Sequence, residues 1–145
     1  MDQKLSMKRN TYKIIVDLLS MLALLAAIIT GFMLHKEVWH LHLYNDSLLW
    51  GTHETIGLTL LALVAAHCIQ HSFWFRNYSK IKVEKKRVTA ILLIIGIITA
   101  ITGIVLMCGS HSEFISHTHY AGAILFTAIA IGHVAKRWKI LKAIS

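Results

Sequence analysis

At 145 residues, 56% of them hydrophobic and none of them proline, the chain is too apolar for a water-soluble fold of its size. Its formal net charge of +8 would suit a nucleic-acid partner if it were spread over one face, but the basic residues fall in clusters between long apolar runs. That pattern belongs to a polytopic membrane protein and argues against nucleic-acid binding. The two cysteines, Cys68 and Cys108, form no CxxC or CxxCH pattern, so neither a zinc knuckle nor covalent c-type haem attachment is suggested; they are expected to be small buried residues.

Four apolar runs, 13–34, 51–74, 88–109 and 118–136, follow one another along the chain. Each holds close to the ~20 residues that an α-helix needs to cross a hydrocarbon core of ~30 Å. Lys4, Lys8, Arg9 and Lys13 precede the first run, which is too long for a signal-peptide core and is read as a retained span. It carries Asp17 near its inner end and closes on "ITGFML" (29–34). An outer loop, "EVWHLHLYNDSLLW" (37–50), leads to the second run, which contains "HETIGLTLLALVAAH" (53–67). Arg76, Lys80, Lys82, Lys85, Lys86 and Arg87 fill the next loop. The third run carries Gly96 and Gly103 and the segment "ITGIVL" (101–106). The fourth contains "HYAGAILFTAIAIGH" (119–133), and Lys136, Arg137, Lys139 and Lys142 follow it.

All of the 15 basic residues except Lys36 therefore lie on one side of the spans. By the positive-inside rule, both termini and the middle loop are cytoplasmic and the chain crosses the inner (cytoplasmic) membrane four times. The basic segments then lie against anionic lipid. Trp39 and Trp50 at the outer ends of spans, and Trp74 and Trp138 at the inner ends, suit the same frame. The expectation is an all-α integral membrane four-helix bundle, a single membrane domain over residues 1–145. It has a two-fold internal repeat of helix pairs, since "ITGFML" and "ITGIVL" each precede a histidine-bearing outer loop and a span with two histidines.

The histidine spacing is the most informative feature. His53 and His67 are 14 residues apart, as are His119 and His133. Fourteen steps of ~100° fall only ~40° short of four turns, so each pair shares a helix face, about 21 Å apart along the axis. If the second and fourth spans face each other, His53 meets His119 near the outer surface and His67 meets His133 near the inner one. Two such imidazole pairs are what two six-coordinate haems require. His117 stands ~160° away from His133 around the helix and does not fit. His71, five turns from His53, competes with His67, but its counterpart in the second half is Arg137, which cannot ligate iron. His67 and His71, at i and i+4, could instead chelate a metal.

A lone membrane histidine is commonly a buried polar residue bonded to a neighbouring helix, and that reading stands beside the haem reading for each of the four. Four in matched positions shift the balance, because such residues are expensive in a bilayer and mark functional pathways. Gly31, Gly96 and Gly103 suit close helix packing, and beside haem would leave room for the macrocycle. Thr30 and Thr102 could bond a ligand histidine, though a bond to their own helix backbone is the plainer expectation. His35, His40, His42, His111 and His117 all lie on the outer side, as solvated loop residues or as proton-handling groups beside an outer redox site.

Two histidines on the second helix and two on the fourth, with Thr30–Gly31, Thr102–Gly103, Trp74 and Trp138, resemble the dihaem b-type membrane cytochromes. Among these the pattern is most similar to the bacterial flavinylation-associated cytochromes, over nearly the whole chain from Ile14 to Trp138. The resemblance implies two haem b groups held by His53 with His119 and His67 with His133, beside Gly31 and Gly103. It implies electron transfer between a quinone pool or cytoplasmic-side donor and an extracytoplasmic flavoprotein, with a homo-oligomer also open. Arg76, Arg137 and Lys136 are candidates for the inner haem propionates, Thr52 and Thr118 for the outer ones. Two rivals remain: a histidine-lined metal or proton transporter, which calls for acidic or broken helices at mid-membrane, and a haem-free anchor subunit of a larger enzyme.

Overall fold

The computed structural model describes the backbone of residues 2–35, 46–80, 83–109 and 112–142, with side chains for 11–35, 47–73, 75–77, 79–80, 87–109 and 112–135. The described residues form four long helices, α1 (Asp2–Leu34), α2 (Asp46–Gln70), α4 (Val83–Met107) and α5 (Glu113–Lys142). A short α3 (Ser72–Arg76) and a single 3-10 turn (Tyr78–Lys80) follow α2. Within them Thr11–Leu34, Ser47–Gln70, Arg87–Met107 and Glu113–Ala135 are each long and apolar enough to cross a membrane.

Helix is the only open structure that satisfies every backbone group within its own segment, as hydrocarbon demands. With no proline to break them, runs of Leu, Ile and Ala carry the helices through. The hydroxyls inside the spans fold back onto carbonyls four residues earlier. Ser20 donates to Val16 O (2.7 Å), Thr59 to Thr55 O (2.8 Å) and Thr127 to Ala123 O (2.7 Å), so none of these is presented bare to an apolar medium. Only Val16 and Leu49 are buried hydrophobics among the described residues, whereas Leu22, Ile69 and Ile131 are 63%, 72% and 63% exposed. Apolar surface on that scale calls for lipid or another protein surface as its solvent.

The expected boundaries of two spans move at three points. The second span, expected over 51–74, begins at Asp46 and ends at Gln70, because the chain turns at His71 (φ −97°, ψ 17°) before restarting as α3. The fourth begins earlier than expected, at Glu113, whose carboxylate in the first turn complements the positive end of the helix dipole. At the end of α4, Gly109 takes φ 90°, a left-handed conformation open to glycine, and its N–H donates to Leu106 O (3.0 Å). Cys108, expected to be buried, lies exposed at this helix end, while Cys68 is half-buried.

The chain divides into two compact units, Met1–Asn77 and Tyr78–Ser145. In the first, α1 packs on α2, with Thr30 beside His53 and Asp17 beside His67. One number falls as the other rises, which makes the pair an antiparallel hairpin. In the second, α4 packs on α5 with the same sense: Gly96 faces Phe126, Thr99 faces Gly122, and Gly103 faces His119.

Candidate functional site

Each 14-residue histidine pair lies on one unbroken helix, His53 and His67 on α2 and His119 and His133 on α5. The shared face and the ~21 Å separation expected from helical geometry therefore apply to both. All four side chains are half-buried.

In the first hairpin, His53 Nδ1 lies 2.9 Å from Thr30 Oγ1. The Thr30 hydroxyl proton is directed to the carbonyls of Ala26 (2.9 Å) and Ala27 (3.2 Å), so its oxygen accepts and His53 Nδ1–H donates. That assignment fixes the tautomer and places the imidazole lone pair on Nε2. Gly31 lies beneath the ring: a Cβ there would stand 3.1 Å from His53 Cε1.

The second hairpin repeats this chemistry with a different acceptor. His119 Nδ1 lies 2.9 Å from the Thr99 carbonyl oxygen, which can only accept, so Nδ1 carries the proton and Nε2 the lone pair. Thr102 Oγ1 is a more distant neighbour of the same nitrogen at 3.4 Å, its own proton directed to Ile98 O (2.8 Å). Gly103 lies beneath the ring more tightly than Gly31 does, a Cβ there falling 2.8 Å from His119 Cε1. Thr30 and Thr102 thus bond their own helix and a histidine together, where the plainer expectation had the helix alone. His117, set aside on phase, is exposed in the first turns of α5.

Fourteen residues further along α2 from His53, the first hairpin holds a group that sequence reasoning did not connect. His67 Nδ1 lies 2.6 Å from Asp17 Oδ1, a short charge-assisted contact. His71 stacks at a tilt on His67, with ring centroids 4.6 Å apart and planes at 50°. Asp17, His67 and His71 can bring one ligand atom each to within 4.8 Å of one another. Gln70, next to them, has both side-chain amide atoms buried without a hydrogen-bond partner among the described residues. That cost would be relieved by a bound polar group. The signal for Asp17 was present in the spacing. Asp17 and Gly31 are 14 residues apart on α1, as His53 and His67 are on α2, so an antiparallel register that seats Gly31 under His53 carries Asp17 to His67.

On the second hairpin the register that seats Gly103 under His119 carries Thr89 to the level of His133, again 14 residues along each helix. Arg76 is exposed at the end of α3. Thr52 and Thr118, expected near the outer propionates, donate to the Leu48 and Phe114 carbonyls of their own helices (2.7 Å each). His35 is half-buried just past α1. The side chains of Arg137, Lys136, Trp74 and Trp138, and residues Trp39, His40, His42 and His111, lie outside the described residues. No family model, curated protein or solved structure matches the chain.

Proposed function

We propose that the chain is a transmembrane electron carrier of the dihaem b-type cytochrome kind. His53 with His119 would hold an outer haem and His67 with His133 an inner one, within a four-helix bundle whose termini are cytoplasmic. The observation that carries this reading is the common state of three of the four ligands. His53, His67 and His119 each have Nδ1 engaged within their own hairpin, by a hydroxyl, a carboxylate and a carbonyl respectively. Histidines that bind metals are oriented in this manner, one ring nitrogen fixed by a hydrogen bond and the other turned to the metal.

The glycines support the reading by leaving room for the imidazoles themselves. Gly31 and Gly103 let two imidazoles lie against a helix backbone where any side chain would crowd them. Their occurrence at matching Thr–Gly positions in both hairpins supports an internal repeat. Held by these imidazoles, haem would supply a one-electron couple suited to electron transfer. The protein's own part is to hold four imidazoles in one tautomer and rotamer at two depths, and to surround them with apolar helix. An extracytoplasmic flavoprotein and a quinone are the partners this reading brings with it, both resting on the resemblance.

A second reading has one observation in its favour, the Asp17–His67–His71 cluster, which offers nitrogen and oxygen ligands to a divalent transition metal. A metal would first have to displace the hydrogen bond that holds Asp17 and His67 at 2.6 Å, which favours the haem reading.

The test is a dithionite-reduced minus oxidised spectrum of the purified protein with pyridine haemochrome quantification. About two b-type haems per chain are expected, with single alanine substitutions at His53, His67, His119 and His133 each removing one. A folded preparation without haem but with stoichiometric zinc, cobalt or nickel would replace this reading by the second.

A further inference from the structure

The three ligand imidazoles with Nδ1 partners do not have equivalent ones. His53 donates to a neutral hydroxyl and His119 to a neutral carbonyl, both at the outer level. His67, at the inner level, faces the carboxylate of Asp17 at 2.6 Å, the one carboxylate–imidazole pair among the described residues. The matching position on the second hairpin is Thr89, a residue without a carboxylate.

Resting on the dihaem reading, we infer that Asp17 is a positioning residue that sets the inner haem to a lower reduction potential than the outer, so that electrons run outward. A carboxylate accepting from Nδ1–H draws the proton away from the ring and raises the basicity of Nε2. A more basic ligand stabilises ferric over ferrous iron, and hydrogen bonding around the ligands is one of the levers by which a protein sets a haem potential. His53 and His119 have uncharged Nδ1 partners, a hydroxyl and a carbonyl. The basic residues beyond the inner ends, Arg76 and Lys80 among them, oppose the effect through a longer, screened path. Asp17 acts across a hydrogen bond in contact with the ligand itself.

Asp17 is also where a charge is least expected. It lies within the Thr11–Leu34 span, and an acid in that setting is costly without a partner. His67 relieves the cost for the acid, and the acid fixes the ring for its ligand role. An electron entering from the cytoplasmic side would meet the lower-potential site first and pass outward to the higher one, which suits an extracytoplasmic acceptor.

The experiment is an optical redox titration of purified protein: native, D17N, D17E and, as an outer-level control, T30V. Two resolved components are expected in the native protein. In D17N the lower midpoint should rise by at least a tenfold change in the electron-binding constant, about 59 mV for one electron, while the upper one stays. D17E should keep the lower midpoint near native, and T30V should move the upper component alone. A D17N protein with two haems and both midpoints unmoved, or with only the upper one moved, would overturn the inference and leave the dihaem reading standing. Loss of the inner haem from D17N would overturn it too, by assigning Asp17 to retention of the ligand. A native protein without haem would remove the reading on which the inference rests.

Discussion

Replacing Gly103 with alanine tests the packing on which the site depends, whatever the site binds. The new Cβ would stand 2.8 Å from His119 Cε1. That is about 0.7 Å inside the ~3.5–4.0 Å at which carbon atoms pack. The ring cannot retreat without consequence, because Nδ1 is held to the Thr99 carbonyl at 2.9 Å, and a shift of that size would break the bond. Overpacking costs about 1–3 kcal/mol and a lost hydrogen bond about 0.5–1.5 kcal/mol, so Gly103→Ala should destabilise the second hairpin by roughly 2–4 kcal/mol. Gly31→Ala meets the same imidazole atom of His53 at 3.1 Å, needs a smaller retreat, and should cost less. Gly57→Ala and Gly132→Ala have nothing within 4 Å of the new Cβ and should be neutral, or more stable by up to about 1 kcal/mol from helix propensity. Thermal or denaturant unfolding in detergent, followed by far-ultraviolet circular dichroism, would rank the four. The order Gly103, Gly31, then the two open positions is required. A Gly103→Ala protein as stable as Gly132→Ala would refute the placement of His119 against α4.

Three further predictions follow the same contacts. Thr30→Val removes the acceptor of His53 Nδ1–H and should cost about 1–3 kcal/mol, whereas Thr102→Val should cost less, because His119 keeps the Thr99 carbonyl; equal losses would show that Thr30 is not the acceptor. Asp17→Ala and His67→Ala should each destabilise by about 1.5–3 kcal/mol, and the double variant by much less than their sum; strict additivity in denaturant titrations would mean that the pair is not formed. Cys108, exposed just past the C-terminal end of α4, lies outside in the proposed orientation and should react with a membrane-impermeant maleimide added to intact cells, and Cys108→Ser should abolish the signal. Labelling only after the cytoplasmic face is opened would reverse the orientation.

The helices were legible because the hydrocarbon core imposes a length and a composition on anything that crosses it. Their ends were less so. Hydropathy runs on through Phe73, Trp74 and Phe75, so composition carries the second span past the turn at His71 that closes α2. Spacing within a helix predicted that His53 shares a face with His67 and His119 with His133, because periodicity is a property of one element. What those faces meet depends on the hairpin register. Asp17 was visible as an acid inside a span, yet its partner could be named only once Gly31 was placed under His53. The Thr99 carbonyl could not have been read at all, since every residue offers one and only the fold selects which is near an imidazole.

Under the proposed function, the same register would separate a ligand histidine from a structural one. A buried histidine that merely fills a helix interface needs one hydrogen bond to offset its desolvation. His53 and His119 have more: an acceptor on Nδ1 that fixes the tautomer, and a glycine beneath Cε1 that admits the ring in close contact with the opposing helix. Glycine alone does not make the distinction, for Gly96 backs the ring of Phe126 with its nearest atom at the same 3.1 Å found for Gly31 and His53. The combination does, because it constrains where the second nitrogen points as well as where the ring sits, and orientation is what a metal ligand requires and a space-filling side chain does not. His67 obtains its constraint from a carboxylate inside a span long and apolar enough to cross a membrane, where a hydroxyl would have served for orientation alone. The added charge is expensive in that setting, and on the proposed reading its effect on ligand basicity is what a hydroxyl could not provide.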